Sequence, residues 1–488
     1  MSFRPGVLLL LVISSSAFAQ SGYKLDFKIK GLKDTTVYLA YFNNDQTYLR
    51  DTAKVDSQGA FSFEGTPPLA QGMFLVVIDK SPMFQFVIGQ NQKFTMETDY
   101  ADCTKNMVVT GDEDNKLFFE NANFLNRKFK DAEPYVKIIR DSTLKEDAKK
   151  EAREQFGKHS AEVMAYQNDL IAKHPATLTA RLIKSTREIE VPEPPKRADG
   201  TIDSTWQFRY YKEHYFDNFD LADDAMIRVS KPMYQQKVKD YLDRLVLQHP
   251  DSLTKEIVRL SGKVKKNPEA YKYFIWTCMY HYQTHKIMGL DEVYVNLYDK
   301  FVATGETDYW LDKSTKQNIK DYVDKIRNSL VGKTAGNLIM QDKDLKPKSM
   351  YDIKNKYTIL FFFSPDCGHC KEETPKLVDF YNKNKMKFDL EVYAVSIDTS
   401  MAKMRNFIKD YKMPWTTVNG PRTYVGHWSK MYYAETTPSM YVIDSKHKII
   451  AKKLPIEQLP EFFEKYEQLH PTPKPNAAKP NGNKGTLR

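Results

Sequence analysis

Cys367, His369 and Cys370 are the residues whose types and spacing could do chemistry. They form Cys367-Gly368-His369-Cys370, between the apolar run Tyr357 to Phe363 and the helix-like stretch Lys371 to Lys385. A thiol at a strand-to-helix junction meets the helix's unpaired N–H groups and the positive end of its dipole, which stabilise a thiolate. A second thiol one turn later lies within bonding reach. The spacing predicts a redox couple in which Cys367 is the nucleophile and Cys370, on the inner side of the helix, attacks the mixed disulfide. A cationic His369 imidazole would favour the thiolate, drawing its pKa from roughly 8.5 toward about 3.5 to 7.5.

Half of a structural zinc site is the competing reading of the pair, and it would need two more soft ligands nearby. Cys103 and Cys278 are far away in sequence and solitary, so they read as small buried hydrophobes. His281 and His285 stand four apart, but the intervening Tyr-Gln-Thr lacks the glutamate of a zincin helix. Sharing a stripe with Phe274 and Cys278, they read as packed side chains. No metal and no cofactor is expected.

The elements around the pair change character along the chain. From Tyr23 the pattern alternates, with Tyr23, Leu25, Phe27 and Ile29 on one side and Lys24, Asp26, Lys28 and Lys30 on the other, as a half-buried strand requires. Short runs follow at Val37 to Phe42, Phe61 to Phe63, Phe74 to Ile78, Phe84 to Ile88 and Phe94 to Thr98, separated by turn residues such as Asp56-Ser57-Gln58-Gly59. They predict a β-sandwich or barrel over 22–111. Beyond Asp112 the period becomes helical, as in Phe118, Ala122, Leu125 and Phe129, which predicts a helical domain over 112–330. Gly332 to Gly336 reads as a linker. Past the cysteines, strands are expected at Leu390 to Ser396, Ser439 to Asp444 and Lys448 to Lys453, with helices at Thr399 to Lys412 and from about Ile456, completing an α/β domain over 331–470.

The termini read differently. Arg4, the apolar run Val7 to Ile13 and the small residues ending Ala17-Phe18-Ala19 predict a cleavable signal peptide at 1–19. That run is far shorter than the ~18 to 20 residues a spanning helix needs, and no later stretch supplies a transmembrane segment. The expected location is the periplasm or cell envelope, where a reductive role requires an external electron donor. The stretch 471–488, rich in Pro, Asn, Lys and Gly, reads as a disordered tail. The net charge of +10, from 73 basic and 63 acidic residues, is dispersed without a basic block, so nucleic acid is not an expected partner.

The run Phe361 to Pro375 resembles the active-site segment of the thioredoxin superfamily, in particular the exported TlpA-like thiol:disulfide oxidoreductases. Cys367 and Cys370 match the redox pair, Pro375 the helix proline eight residues after the first cysteine, and Thr437-Pro438 the cis-proline loop. A cis Thr-Pro bond there would leave the Thr437 backbone free to pair with an extended substrate segment. Glu373 matches an acidic position of some TlpA-like proteins, where a carboxylate could shuttle the proton of Cys370; a solvated glutamate beside Glu372 is the equal alternative. Two positions depart from the pattern. Phe361 stands where thioredoxins carry a buried aspartate, and Asp366 replaces the tryptophan before the first cysteine, its charge opposing the thiolate. The stretch Val55 to Gly65 is similar to a hairpin in the N-terminal β domain of exported thioredoxin-like proteins of Bacteroidetes.

The resulting expectation is a multidomain α+β protein: N-terminal β-sandwich, helical middle domain and C-terminal thioredoxin-like α/β domain. It would act as a disulfide reductase or isomerase, exchanging disulfides with protein thiols or disulfides of the cell envelope and with an unidentified redox partner. The alternative is an envelope binding protein whose N-terminal domains recognise a partner and whose redox domain is accessory. Peroxide reduction is disfavoured, because nothing resembles the peroxiredoxin threonine-to-cysteine motif.

Overall fold

The computed structural model describes residues 22–471, apart from positions 421 and 425 and the side chain at 422. The expected signal peptide and all but the first residue of the expected tail lie outside the described residues. The chain forms two compact units, Met1–Val246 with Val258–Thr277, and Leu247–Ile257 with Cys278–Arg488.

In the first unit eight strands come first: β1 (Tyr23–Lys30), β2 (Thr36–Asn43), β3 (Gln46–Lys54), β4 (Ala60–Gly65), β5 (Gly72–Ile78), β6 (Ser81–Ile88), β7 (Lys93–Asp99) and β8 (Val108–Thr110). They build two four-stranded sheets, ordered β4-β1-β7-β8 and β3-β2-β5-β6. The alternation of β1 does what its pattern requires, burying Tyr23, Leu25, Phe27 and Ile29 in one core with Val37, Leu39, Phe74, Val76 and Phe86. Phe27 lies among Phe61, Phe63 and Phe86, at ring-centroid distances of 5.1, 5.9 and 5.6 Å. Two sheets sharing one apolar interior make the expected β-sandwich.

Helices α1 (Glu113–Arg140), α2 (Glu146–Lys173), α3 (Leu178–Ser185), α4 (Trp206–His214) and α5 (Met233–Leu245) follow. Asp112 caps α1, and the buried Asn115 amide accepts from Val87 N–H (2.8 Å) and donates to Val87 O (2.7 Å), fixing the helix to β6. The Phe118 to Phe129 stripe is buried only in part: Phe118 packs half-buried against the sandwich core, and Ala122 and Leu125 are half-buried. Leu117 and Phe119 are buried and Phe129 is 70% exposed, because α1 meets the sandwich through its first turns only. Next come α6 (Pro250–Val264) and α7 (Pro268–Gln283).

The second unit holds α8 (Asp291–Leu297), α9 (Lys313–Arg327), β9 (Ile339–Asp342), β10 (Pro347–Ser349), β11 (Tyr357–Phe363), α10 (Gly368–Phe388), β12 (Leu390–Ser396), α11 (Met401–Asp410), β13 (Thr416–Asn419), β14 (Arg422–Thr423), β15 (Gly426–His427), β16 (Ser439–Asp444), β17 (Ile449–Lys452) and α12 (Leu459–Leu469). Seven strands form one mixed sheet, β10-β9-β13-β12-β11-β16-β17. The central β11 is parallel to β12 and antiparallel to β16. Its run of apolar residues is explained by burial on both faces: Tyr357, Ile359, Phe361 and Phe363 join one core, Leu360 and Phe362 the other. Gly332 to Gly336 is not a free linker. Gly332 N–H donates to Ile449 O (2.8 Å), Ile449 N–H to Lys333 O (2.9 Å) and Ala335 N–H to His447 O (2.8 Å), so this segment lies along the β17 edge.

Candidate functional site

The apolar strand β11 ends at Phe363, and its chain turns directly into α10. Cys367 is the residue that caps this helix, with extended backbone (φ −76°, ψ 123°), its N–H donating to Ser364 O at 3.1 Å. One turn on, Cys370 is fully buried in the core that holds Phe361, Phe363 and Leu377. Cys367 is only partly buried, and both thiols are free. Register brings the second component alongside: Ser439 opens β16 opposite Phe362, so Thr437-Pro438 arrives level with the end of β11 that feeds the cysteines. The Thr437–Pro438 bond is cis, as expected, and the Cys367 thiol donates to Thr437 O at 3.2 Å.

The two sulfurs are driven apart electrostatically. Burial works against ionisation of Cys367, but the Thr437 side chain, the Cys370 N–H and thiol and the His369 N–H overcome it and hold this thiol below its ordinary value. For Cys370 burial dominates, and its pKa is pushed up to about 11, with neighbouring Cys367 raising it further. A partly accessible, acidified sulfur next to a buried, protonated one is an arrangement suited to attack by the first and release by the second.

The remaining sequence-derived residues fall around this pair. The His369 imidazole is 83% exposed, with Nδ1 3.5 Å from Glu372, so His369 reaches Cys367 through its backbone N–H rather than its ring. Glu373 accepts from Lys376 Nζ at 2.6 Å, and that lysine also bonds Glu457 at 2.7 Å; no hydrogen bond among the described residues joins Glu373 to Cys370. Phe361 is buried, its ring 5.9 Å from that of Phe363, so the position of the thioredoxin aspartate is apolar here. Asp366 does not stand alone against the thiolate. Lys403 of α11 pairs with it, and with Asp398 at 3.3 Å. Sequence reasoning missed Lys403, since nothing local marks a lysine 37 residues away as a counter-ion.

Outside this site, Cys103 and Cys278 are buried and free, and burial raises both thiols, as inert packing requires. The rings of His281 and His285 meet edge to face at 4.9 Å. No helix among the described residues is long and apolar enough to cross a membrane.

A dithiol at the start of a helix, facing a cis-proline loop at the end of a mixed sheet packed with helices, defines a thioredoxin-like α/β domain. Residues 331–452 match the AhpC/TSA family, 147–329 a domain of unknown function (DUF5106) and 23–118 a second one (DUF4369). The thiol-disulfide oxidoreductase ResA of Bacillus cereus is 30% identical over 147 residues, which are 30% of this chain and 81% of that protein. A solved domain of a possible thiol-disulfide isomerase from Cytophaga hutchinsonii is 38% identical, covering 29% of this chain and 95% of its own, with a TM-score of 0.27. The thioredoxin domain of a thiol-disulfide oxidoreductase from Bacteroides vulgatus is 29% identical over 28% of this chain and 96% of its own, with a TM-score of 0.26. The chain belongs to the TlpA/ResA-like thiol-disulfide oxidoreductases through its C-terminal portion.

Proposed function

We propose that this is an exported enzyme of the periplasm or cell envelope that exchanges disulfides with protein substrates through Cys367 and Cys370. The observation that carries the reading is the contrast between the two sulfurs, one accessible and acidified, the other sealed and held protonated. The sequence pattern at 1–19 supports export, and the matches over 23–118, 147–329 and 331–452 support three modules bounded near 111 and 330.

Thiolate Cys367 attacks one sulfur of a substrate disulfide, forming a Cys367–substrate bond while the other substrate sulfur leaves as thiolate and takes a proton. The extended substrate backbone lies beside Thr437-Pro438. Cys370 then gives up its proton, attacks Cys367 Sγ and forms the Cys367–Cys370 bond, releasing the second substrate thiol. The substrate gains two electrons and two protons, and a dithiol donor must later return them to the enzyme. Read in reverse, the same steps oxidise a substrate.

Insulin reduction by the wild-type chain, measured against Cys367→Ser, tests the reading. Wild-type turnover abolished by the substitution is the expected result. A complementary Cys370→Ala variant should retain a Cys367-linked protein from envelope extracts. An inert wild type that leaves no cysteine-linked adduct would sink the proposal in favour of a binding role.

A further inference from the structure

The loop that delivers Thr437 to Cys367 leaves the turn Trp428–Lys430 and reaches β16 only at Ser439. Its hold on position comes from outside its own sheet as well. Lys325 of α9 bonds Glu435, two residues before Thr437, at 2.6 Å. Tyr322, one turn earlier on α9, packs edge to face against Tyr433 with ring centroids 5.6 Å apart, and Tyr294 of α8 packs against Tyr322 in the same way at 5.4 Å. Just past α9, Asn328 donates to Lys430 O at 3.0 Å. The fully buried Ser329 hydroxyl accepts from Tyr433 N–H at 3.3 Å, and the Tyr441 hydroxyl lies 3.4 Å from it while donating to Tyr433 O at 2.8 Å. These contacts fall at successive points of the loop, from Lys430 through Tyr433 to Glu435, and all lie within one compact unit.

A substrate that pairs with the Thr437 backbone needs that backbone fixed before it arrives, since every degree of freedom frozen on binding weakens the complex. We infer that helices α8 and α9, with the residues just past α9, position the substrate-binding loop of the redox domain, making Tyr322, Lys325 and Ser329 positioning residues for extended protein substrates. The inference rests on the reading of the Cys367 site as an exchange centre for proteins. It gives the end of the helical segment a task within that site. A small disulfide, which reaches the sulfur without pairing along the loop, depends on this bracing less.

The test uses the full chain and compares insulin with a small aromatic disulfide as substrates. Tyr322→Ala and Lys325→Glu should each raise the KM for insulin about 3- to 10-fold, and raise it more than the KM for the small disulfide, an effect of the size that aromatic pairs and close charges support. Tyr322→Phe should restore the insulin KM, and the charge swap Lys325→Glu with Glu435→Lys should recover most of what Lys325→Glu loses. Lys325 is exposed, so its variants keep the test valid if Tyr322→Ala fails to fold. An active wild type whose variants show equal KM changes for both substrates, or no rescue by the swap, would overturn this inference alone. A wild type inert toward both substrates would overturn the exchange reading with it.

Discussion

The two thiols should be distinguishable by alkylation in a way that tests the electrostatics of the site directly. Cys370 titrates at about 11, so at pH 7 only about one molecule in ten thousand carries its thiolate. Cys367 lies below its ordinary value, so its thiolate fraction at that pH exceeds that of an unperturbed thiol, itself about one in a hundred or more. Ionisation alone therefore favours Cys367 by about a hundredfold or more. The more basic thiolate is the better nucleophile, and with a Brønsted coefficient of about 0.4 to 0.5 two pKa units return nearly a factor of ten. Labelling by iodoacetamide at pH 7 should still run at least about tenfold faster at Cys367, with burial of Cys370 widening the gap. The pH profile separates ionisation from access. In Cys367→Ser the labelling rate of Cys370, followed by peptide mass spectrometry, should keep climbing about tenfold per pH unit through pH 9, because burial, the largest cause of its raised pKa, survives the substitution. A plateau below pH 9, or equal labelling of the two cysteines at pH 7 in the wild type, would refute the reasoning.

Two further substitutions probe the charges around the pair. Lys403→Met strips the counter-ion from Asp366 and should raise the Cys367 pKa, slowing its alkylation at neutral pH about 2- to 5-fold at low salt; adding Asp366→Asn should restore the rate, and a double variant as slow as the single would contradict the pairing. Because Lys376 already engages its carboxylate, Glu373→Gln should slow resolution of a trapped mixed disulfide by less than about threefold, measured by stopped flow, whereas a loss of a hundredfold or more would establish Glu373 as the proton shuttle.

Much of this architecture is legible because burial imposes a pattern. The runs Tyr357–Phe363, Leu390–Ser396 and Ser439–Asp444 are long and apolar, a consequence of a sheet covered on both faces, and each is found with the bounds its sequence implies. Strand β3 shows the limit of that logic. It is a sheet edge, exposed at most positions, and its side chains carry no alternation to read. Thr416–Asn419 is too short and polar to stand out, although its backbone extends the parallel part of the sheet. Phe129 misled for a different reason: helical spacing says which residues share a face, not how far along the helix a partner extends. At the site the cysteines and Thr437-Pro438 are local motifs and could be read, while Lys403 and the α9 contacts join residues far apart in the chain and become visible only in three dimensions.

The apolar setting of Cys370 bears on the order of events in the proposed cycle. Phe361 fills the place of a buried acid, and the carboxylate of Glu373 is bonded to Lys376. What changes during turnover is Cys367 itself. As a thiolate it raises the pKa of Cys370 by its charge and its hydrogen bond. Once Cys367 is bonded to a substrate sulfur that charge is gone, and Cys370 becomes easier to ionise at the moment its thiolate is needed. Burial, the larger contribution, remains, so ionisation of Cys370 stays the harder of the two steps. The first attack is thus prepared in the resting enzyme and the second only after the mixed disulfide has formed.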